Sequence, residues 1–231
     1  MNRGDVKSLA KNLLDEKGSL YWTDSLMNTL ADEANKDVYR LLVNVSPDHL
    51  LETDSFTWPA NSERIDLEDA AYANKEIDKL LGLESTSSSG GVTKNNLPVK
   101  WMPMRFAERS KYLADGGVSG LSSPGYQSYR YAYQAEYLYI APIPGVALNV
   151  LVYFIPTLAA LAADSTDVLG GRATMFHDAV YKRLAVLMNI KQNGNNPVVD
   201  KLWTEAVMFM ENNAESRYAD EPQSVRVLGH Y

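Results

Sequence analysis

The spacing of the apolar residues changes twice along the chain, and this change constrains the fold more than any single motif. Between Val6 and Leu14, and again between Leu26 and Leu41, apolar residues recur every three or four positions, as on one face of a helix. From Asp48 onward they alternate with polar residues in short runs separated by Pro, Gly, Asn or Ser, which is typical of strands. Helical spacing returns after Pro156. The predicted order is therefore two helices, a strand region and two further helices.

Residues at the ends of these segments support the assignment. Thr23 can cap the second helix through its hydroxyl group, and Pro47 ends that helix. Asn196 can cap the last helix, and Pro197 suits a first helical position, where its missing N–H is not needed. Neither pair of helices has enough apolar partners alone, so the two pairs are expected to pack together.

The predicted fold class is α+β: an antiparallel four-helix bundle, formed by the N-terminal and C-terminal helix pairs, with a small antiparallel β domain inserted into it. A chain of 231 residues is long enough for a substantial core of this kind. The expected boundaries are residues 1–47 for the first half of the bundle, 48–155 for the β domain, 156–215 for the second half and 216–231 for a C-terminal extension.

One uncharged stretch, from Tyr137 to Ala163, is long enough to cross a bilayer. It contains Pro142, Pro144 and Pro156, however, and an interior proline costs a helix about 3 kcal/mol. The stretch is therefore predicted to form a strand, a turn, a second strand and a helix, and no membrane partner is expected.

The charge balance argues against a protein whose main task is to hold nucleic acid. The chain has 22 basic and 29 acidic residues, a net charge of -7, and its Lys and Arg residues do not cluster in runs. A surface that tracks a phosphate backbone needs a clustered basic footprint.

The residue types also leave little room for catalysis. The chain has no Cys, which excludes thiolate chemistry and zinc sites with cysteine ligands. His49, His177 and His230 are widely separated and lack the spacing of metal ligands, and His177 is expected on the polar flank of its helix. Phosphate-binding glycine motifs are also missing. The sequence therefore predicts no catalytic residue, no metal and no cofactor, and an enzyme is not expected.

Six of the 14 tyrosines lie between Pro124 and Gly145. Five of them alternate with other residues at period two, which predicts a pair of strands that turn near Gln134 to Glu136; these five are Tyr129, Tyr131, Tyr133, Tyr137 and Tyr139. Such a set can stack on bases, bind sugars or pack between strands. Base stacking is disfavoured because Arg130 is the only basic residue in the stretch. Sugar binding stays open, and the favoured interpretation is that the five residues serve β-domain packing or an interface.

The order of these elements, together with several local patterns, resembles the head-to-tail adaptor (connector) proteins of tailed bacteriophages. The segments that carry the resemblance are YWTDSLMNTLADEANKDVYRLL, SPGYQSYRYAYQAEYLYIAPIPG, LVYFIPTLAALAADSTDVL, HDAVYKRLAVLMN and VDKLWTEAVMFMENN. They cover nearly the whole chain as an order of elements, and none of them is a catalytic signature.

The resemblance implies a structural virion protein, made in the host cytoplasm and located at the capsid–tail junction. It would form a ring of about twelve copies, closed by head-to-tail contacts, beneath the portal protein. The ring would join the capsid to the tail and let DNA pass without sequence-specific binding. Its further partners would be neck or tail proteins, such as a stopper, a nozzle or a tail tube.

The resemblance also implies that the C-terminal segment inserts into the portal. Ser216 to Tyr231 has no helical pattern but is more apolar than a solvated terminus requires. The residues expected to bind the portal are Val225, Arg226, Val227, Leu228 and Tyr231.

A ring needs two complementary faces on each subunit, and Met27, Tyr39 and Met208 are expected to be exposed and to contribute to them. The alternative function is a β recognition module on a helical stalk that binds glycans through Tyr129, Tyr131 and Tyr137.

Overall fold

A computed structural model of the chain divides it into two compact units. Leu51–Thr157 forms the β unit, and the residues on either side of it form the helical unit. The structure describes residues 1–15, 21–67, 69, 76–85, 99–114, 121–123, 126–192, 194 and 196–220.

The described residues form five α-helices, four of them in the helical unit and one, α3, in the β unit. Their bounds are α1 Arg3–Leu13, α2 Asp24–Val45, α3 Arg109–Ala114, α4 His177–Lys191 and α5 Pro197–Asp220. The predicted caps are confirmed: the Thr23 hydroxyl oxygen accepts from the Leu26 N–H at 3.3 Å, and the Asn196 side-chain oxygen accepts from the Val198 N–H at 3.1 Å. Each cap satisfies a backbone donor that has no partner within its helix.

The core of the helical unit is centred on α4, which packs against α1, α2 and α5. Val180, Leu184 and Met188 of α4 are fully buried. Met27 of α2 is also fully buried and Tyr39 nearly so, so the prediction that these two residues are exposed is wrong, whereas Met208 is exposed as predicted. Met27 lies three positions before the buried Leu30, and Tyr39 lies three positions before the buried Leu42. Met27 and Tyr39 are therefore on the same side of α2 as the core.

The residues that follow the strand ending at Pro156 do not form the predicted helix. Residues 157–162 are irregular, and short 3-10 helices follow at Val168–Gly171 and Thr174–Phe176. The segment is instead attached to α1 and α2 by main-chain and side-chain hydrogen bonds. The Arg3 N–H donates to the Thr166 carbonyl at 3.0 Å, and the buried Leu169 N–H donates to the Asn35 side-chain oxygen at 2.8 Å.

Two buried cations of α1 share one carboxylate in this segment. Arg3 Nε lies 2.8 Å from an Asp164 oxygen, and Lys7 Nζ lies 2.8 Å from the same oxygen. The hydrogen bonds from Lys7 and Arg3 hold the pKa of Asp164 below its usual value. The ionised form of Asp164 is therefore part of the folded helical unit.

Acidification is expected to destabilise the helical unit. Burial lowers the pKa of His177, so below pH 6.5 the unfolded chain binds a proton that the folded chain resists. The pKa of Asp164 is also lower in the folded chain than its usual value of 3.8. The free energy of unfolding therefore falls further as the pH drops from 3.8 to the folded pKa of Asp164. Urea midpoints measured between pH 7.5 and 5 should fall with pH for the wild-type chain. They should change much less for His177→Gln, and equal slopes for the two proteins would contradict the assignment to His177.

The β unit contains eight strands in two sheets, counted over the described residues. One sheet has the order β1-β8-β3, and the other has the order β2-β7-β6-β4 with β5 paired to β6. The strands are β1 Glu52–Trp58, β2 Arg64–Asp66, β3 Ile77–Ser85, β4 Val99–Pro103, β5 Leu121–Ser123, β6 Tyr126–Gln134, β7 Tyr137–Ala141 and β8 Leu148–Pro156. One hydrophobic cluster contains residues of both sheets, among them Trp58, Trp101, Leu138 and Phe154. The two sheets therefore enclose a common core.

The tyrosine-rich stretch forms the predicted hairpin, made of β6 and β7. Its turn consists of Ala135 and Glu136, both with positive φ, as in the two-residue turns whose twist matches that of the flanking strands. The second strand predicted between Tyr137 and Ala163 is β8, the central strand of its sheet. Among the helices of the described residues, none is both long and apolar enough to span a membrane.

The predicted fold class is wrong. The described residues form a mixed α and β structure with five helices and two sheets, not an antiparallel four-helix bundle carrying a small antiparallel β domain. Helix α1 has 11 residues whereas α2 has 22 and α5 has 24, so α1 is too short to form a full side of a bundle. β4 also pairs in parallel with β6, because the connection through α3 and β5 returns the chain to the same end of the sheet.

Candidate functional site

The described histidines do not form a catalytic or metal centre. His49 packs edge-on against Phe176, with ring centroids 5.0 Å apart. His177 is only 6% exposed, so its predicted position on the polar flank of its helix is wrong. Its Nε2 lies 2.8 Å from the Arg172 carbonyl oxygen and its Nδ1 lies 3.2 Å from the Met1 nitrogen, which explains how a polar ring is accommodated there. Over the described residues, no group of His, Asp and Glu side chains is arranged to hold a metal ion.

The five tyrosines singled out in the sequence do not form one surface. In the hairpin, Tyr131 of β6 pairs with Ile140 of β7, and Tyr133 pairs with Leu138. Odd-numbered residues of β6 thus lie beside even-numbered residues of β7, and paired residues point to the same face of a sheet. Tyr129, Tyr131 and Tyr133 therefore face the core, while Tyr137 and Tyr139 face the other side of the sheet.

The three tyrosines of β6 are packing residues. The Tyr129 ring is 1% exposed and lies 5.5 Å from the Trp101 ring, measured between centroids. Tyr131 belongs to the same core cluster, and burial raises the pKa of its hydroxyl group. Tyr133 packs against this cluster and donates to the Ile77 carbonyl oxygen at 3.5 Å. Tyr129 and Tyr131 are thus too buried to offer rings to a sugar, which removes two of the three residues of the glycan-binding alternative.

The opposite face of the second sheet carries a set of arginines stacked on aromatic rings, which we call the arginine–aromatic surface. Its central members are Arg64, Phe106, Arg109, Tyr137 and Tyr139. The Arg64 guanidinium carbon lies 4.9 Å from the Tyr137 ring centroid. The Arg109 guanidinium carbon lies 4.8 Å from the Tyr139 centroid and 5.1 Å from that of Phe106. Phe106 and Tyr139 are themselves in edge contact, with centroids 4.8 Å apart.

A second pair extends this surface: the Arg130 guanidinium carbon lies 4.4 Å from the Tyr112 ring centroid. Arg109 also pairs with Glu63, with 3.0 Å between its Nη2 and the carboxylate oxygen. Phe106 is 38% exposed and Arg64 is exposed, so the surface is open to a partner. Flat rings and arginines held in place by stacking lose little side-chain freedom on binding, and such residues are enriched at the centres of protein interfaces.

Sequence reasoning missed most of this surface because its members come from separate elements. Phe106 belongs to a 3-10 helix at Phe106–Glu108 and Arg109 begins α3, and both lie against β7, which is distant in the sequence. One signal was available: a turn of two residues between strands changes which of the alternating positions face the core. That rule places Tyr137 and Tyr139 on the side opposite Tyr129 and Tyr131.

The predicted portal-binding residues, Val225, Arg226, Val227, Leu228 and Tyr231, lie outside the described residues. The last described helix, α5, ends at Asp220.

Comparison with known proteins points to one family. A family model described as SU10 adaptor protein matches residues 1–225 of the chain. A search of curated proteins finds no match.

Proposed function

The chain belongs to the SU10 adaptor protein family, and from this membership we propose that it forms a ring beneath the portal of a bacteriophage capsid. It is a structural adaptor of the phage virion that contacts portal and tail proteins, as its family implies. In the proposed ring the subunits join the capsid to the tail and surround a channel for DNA, and no step of this role requires catalysis. The family match over residues 1–225 carries the proposal.

Exposed apolar residues on the helical unit support self-association. Ile190 near the end of α4 and Val198 at the start of α5 are each 60% exposed, and Leu9 of α1 is also exposed. Each of these side chains gains free energy when a neighbour covers it, at roughly 25 cal/mol per Å² of apolar area. Head-to-tail contact between copies brings together two different surfaces of the chain. The copies form a closed ring when a whole number of the rotations between neighbouring subunits adds up to a full turn.

The net charge of -7 supports a channel that does not hold DNA. Proteins that bind DNA neutralise its phosphates with Lys and Arg and release counterions, and this sets their affinity. An acidic protein lacks this driving force over most of its surface. DNA can therefore move along the proposed channel without sequence-specific binding.

The β unit is proposed to contact a neighbouring neck or tail protein through the arginine–aromatic surface. Interfaces of this kind take most of their affinity from a few aromatic and arginine side chains near the centre. Arg64, Arg109 and Phe106 have this composition.

The proposed ring is tested by imaging the purified chain in negative stain, alone and with its portal protein. We expect a ring with about twelvefold symmetry, set by closure of head-to-tail contacts, directly beneath the portal. Subunits that stay monomeric with the portal present, or that bind elsewhere on the capsid, would overturn the proposal.

Charge reversal at Arg64 is expected to weaken binding of the neck or tail protein while the fold is retained. Arg64→Glu removes the cation from the Tyr137 ring, and a hot-spot loss of at least 2 kcal/mol corresponds to roughly a 30-fold weaker dissociation constant. The matched control is Lys79→Glu, which makes the same charge change at an exposed position of β3 in the other sheet. Biolayer interferometry with the purified partner measures both. Equal effects of the two variants would count against this surface as the contact.

A further inference from the structure

A pocket of about 310 Å³ opens between α4 and α5 of the helical unit. Phe176 and Met210 are buried at this site, whereas Met175 is 44% exposed and Phe209 is 48% exposed. The rings of Phe176 and Phe209 are in edge contact, with centroids 5.8 Å apart. The pocket therefore has a buried apolar floor, and apolar side chains at its rim are exposed to solvent. The apolar residues that line it are Met175, Phe176, Ala179, Ala206, Phe209 and Met210.

The lining of the pocket favours an apolar polypeptide segment over a small polar ligand. Its charged residues are Asp178, Lys182 and Glu205, and all three lie on exposed or partly exposed positions of the helices. A site for a small polar ligand combines an apolar lining with convergent, buried polar groups, which are missing among these described residues. Next to the pocket, Met208 is exposed as well. A patch of this kind marks a place where another apolar segment packs.

The chain supplies such a segment within reach. Helix α5 ends at Asp220, and from Met210 to Asp220 a helix rises about 15 Å at 1.5 Å per residue. An extended chain covers about 3.3 Å per residue, so Val225, Val227 and Leu228 lie up to roughly 16 to 26 Å along the chain from Asp220. Phe209 lies about 16 Å from Asp220 along the helix axis, so a segment that turns back along α5 can bring Val227 and Leu228 to the level of Phe209, while Val225 stays nearer the end of α5.

The pattern of the segment matches the pocket. In an extended segment Val225 and Val227 point to one side and Arg226 to the other, because side chains alternate. Val227 can then contact the apolar lining while the Arg226 guanidinium stays in water.

We propose that the pocket between α4 and α5 binds the C-terminal segment, residues 221–231, of the same chain, with Val227 packed against Met175 and Phe209. This goes beyond the proposed ring: the segment that is proposed to enter the portal has a docking site on its own subunit before the portal is met. A segment held in the pocket is unavailable to the portal, so the two binding modes exclude each other.

Engineered disulfides test the proposal without background, because the chain has no cysteine. The test pair is Lys182→Cys with Val227→Cys, at the pocket. The control pair is Ile190→Cys with Val227→Cys, since Ile190 is on the same helix but lies about 12 Å further along it. With dilute protein and mild oxidation, we expect a disulfide within one chain to form at least fivefold faster in the test pair, as read by non-reducing peptide mapping.

A pocket variant provides the second arm. Phe209→Asp added to the test pair should slow the disulfide at least fivefold, whereas Val198→Asp, also at an exposed apolar position but near the start of α5, should leave the rate within one chain unchanged. If circular dichroism shows that Phe209→Asp does not fold, Met175→Asp gives the same readout from the α4 side of the pocket. Equal rates for the two cysteine pairs, or no effect of either pocket variant, would overturn the proposal. A disulfide between two chains would also overturn it, because the occupant would then be a second copy.

Discussion

Tyr129→Ala is expected to lower the free energy of unfolding of the β unit by about 3 to 5 kcal/mol, the range for removing a large buried aromatic ring. The side chain is almost completely buried and its ring packs on Trp101. Its removal leaves a cavity between the sheets that neighbouring residues fill only in part. Urea unfolding followed by tryptophan fluorescence measures the loss, since Trp58 and Trp101 both belong to this core.

The matched control is Tyr137→Ala in the next strand of the same hairpin. Tyr137 lies on the opposite face of the sheet and is only partly buried, with Arg64 over its ring. Its loss removes a contact of about 0.5 to 1 kcal/mol, so the urea midpoint should shift far less. Similar shifts for the two variants would show that the assignment of the two tyrosines to opposite faces is wrong.

Deletion of Asp220 to Tyr231 is expected to abolish portal binding while the chain remains folded. Val225, Val227 and Leu228 are proposed to be buried in the portal, and burying each such side chain contributes about 1.5 kcal/mol or more. Since 1.4 kcal/mol is a tenfold change in affinity, loss of all three, about 4.5 kcal/mol together, should weaken binding by on the order of 1,000-fold or more. Co-sedimentation with the portal, together with circular dichroism of the truncated chain, measures both properties.

Point variants separate the apolar contacts from the length of the segment. Val225→Asp with Val227→Asp should reproduce the effect of the deletion, whereas Gln223→Ala with Ser224→Ala, in the same segment, should bind the portal like the wild-type chain. Unchanged affinity after the deletion would rule out this segment as the portal anchor. An equal loss in both double variants would mean that the two valines have no special part in binding.

Local patterns predicted many of the elements and their ends. Thr23 and Asn196 cap the helices as expected, and the tyrosine alternation gave the hairpin of β6 and β7 with its turn after Gln134. These features depend on residues within a few positions of each other: a cap uses a side chain and a backbone N–H two or three residues away, and a strand period reflects which side is buried.

Predictions failed where the answer depended on distant residues. Met27 and Tyr39 lie on the side of α2 that carries the buried Leu30 and Leu42, where elements distant in the sequence pack on this helix, and the ring nitrogens of His177 find main-chain partners at Arg172 and Met1. After Pro156, hydrogen bonds to α1 and α2 take the place of a local helix. No short stretch of sequence records which other segment will supply such a partner.

The sequence by itself determined the alternation of helical and strand regions, the caps of α2 and α5, the tyrosine hairpin and the resemblance to phage adaptors that the family match confirms. Only the tertiary structure decided that Arg64 and Arg109, which lie outside that hairpin, stack on Tyr137 and Tyr139. It also decided that β4 pairs with β6 in parallel and that α4 is the centre of the helical unit. The physical reason is that period, capping and the register of a hairpin with a two-residue turn arise from neighbouring residues, whereas a crossover and the packing of helices depend on contacts between residues far apart in the chain.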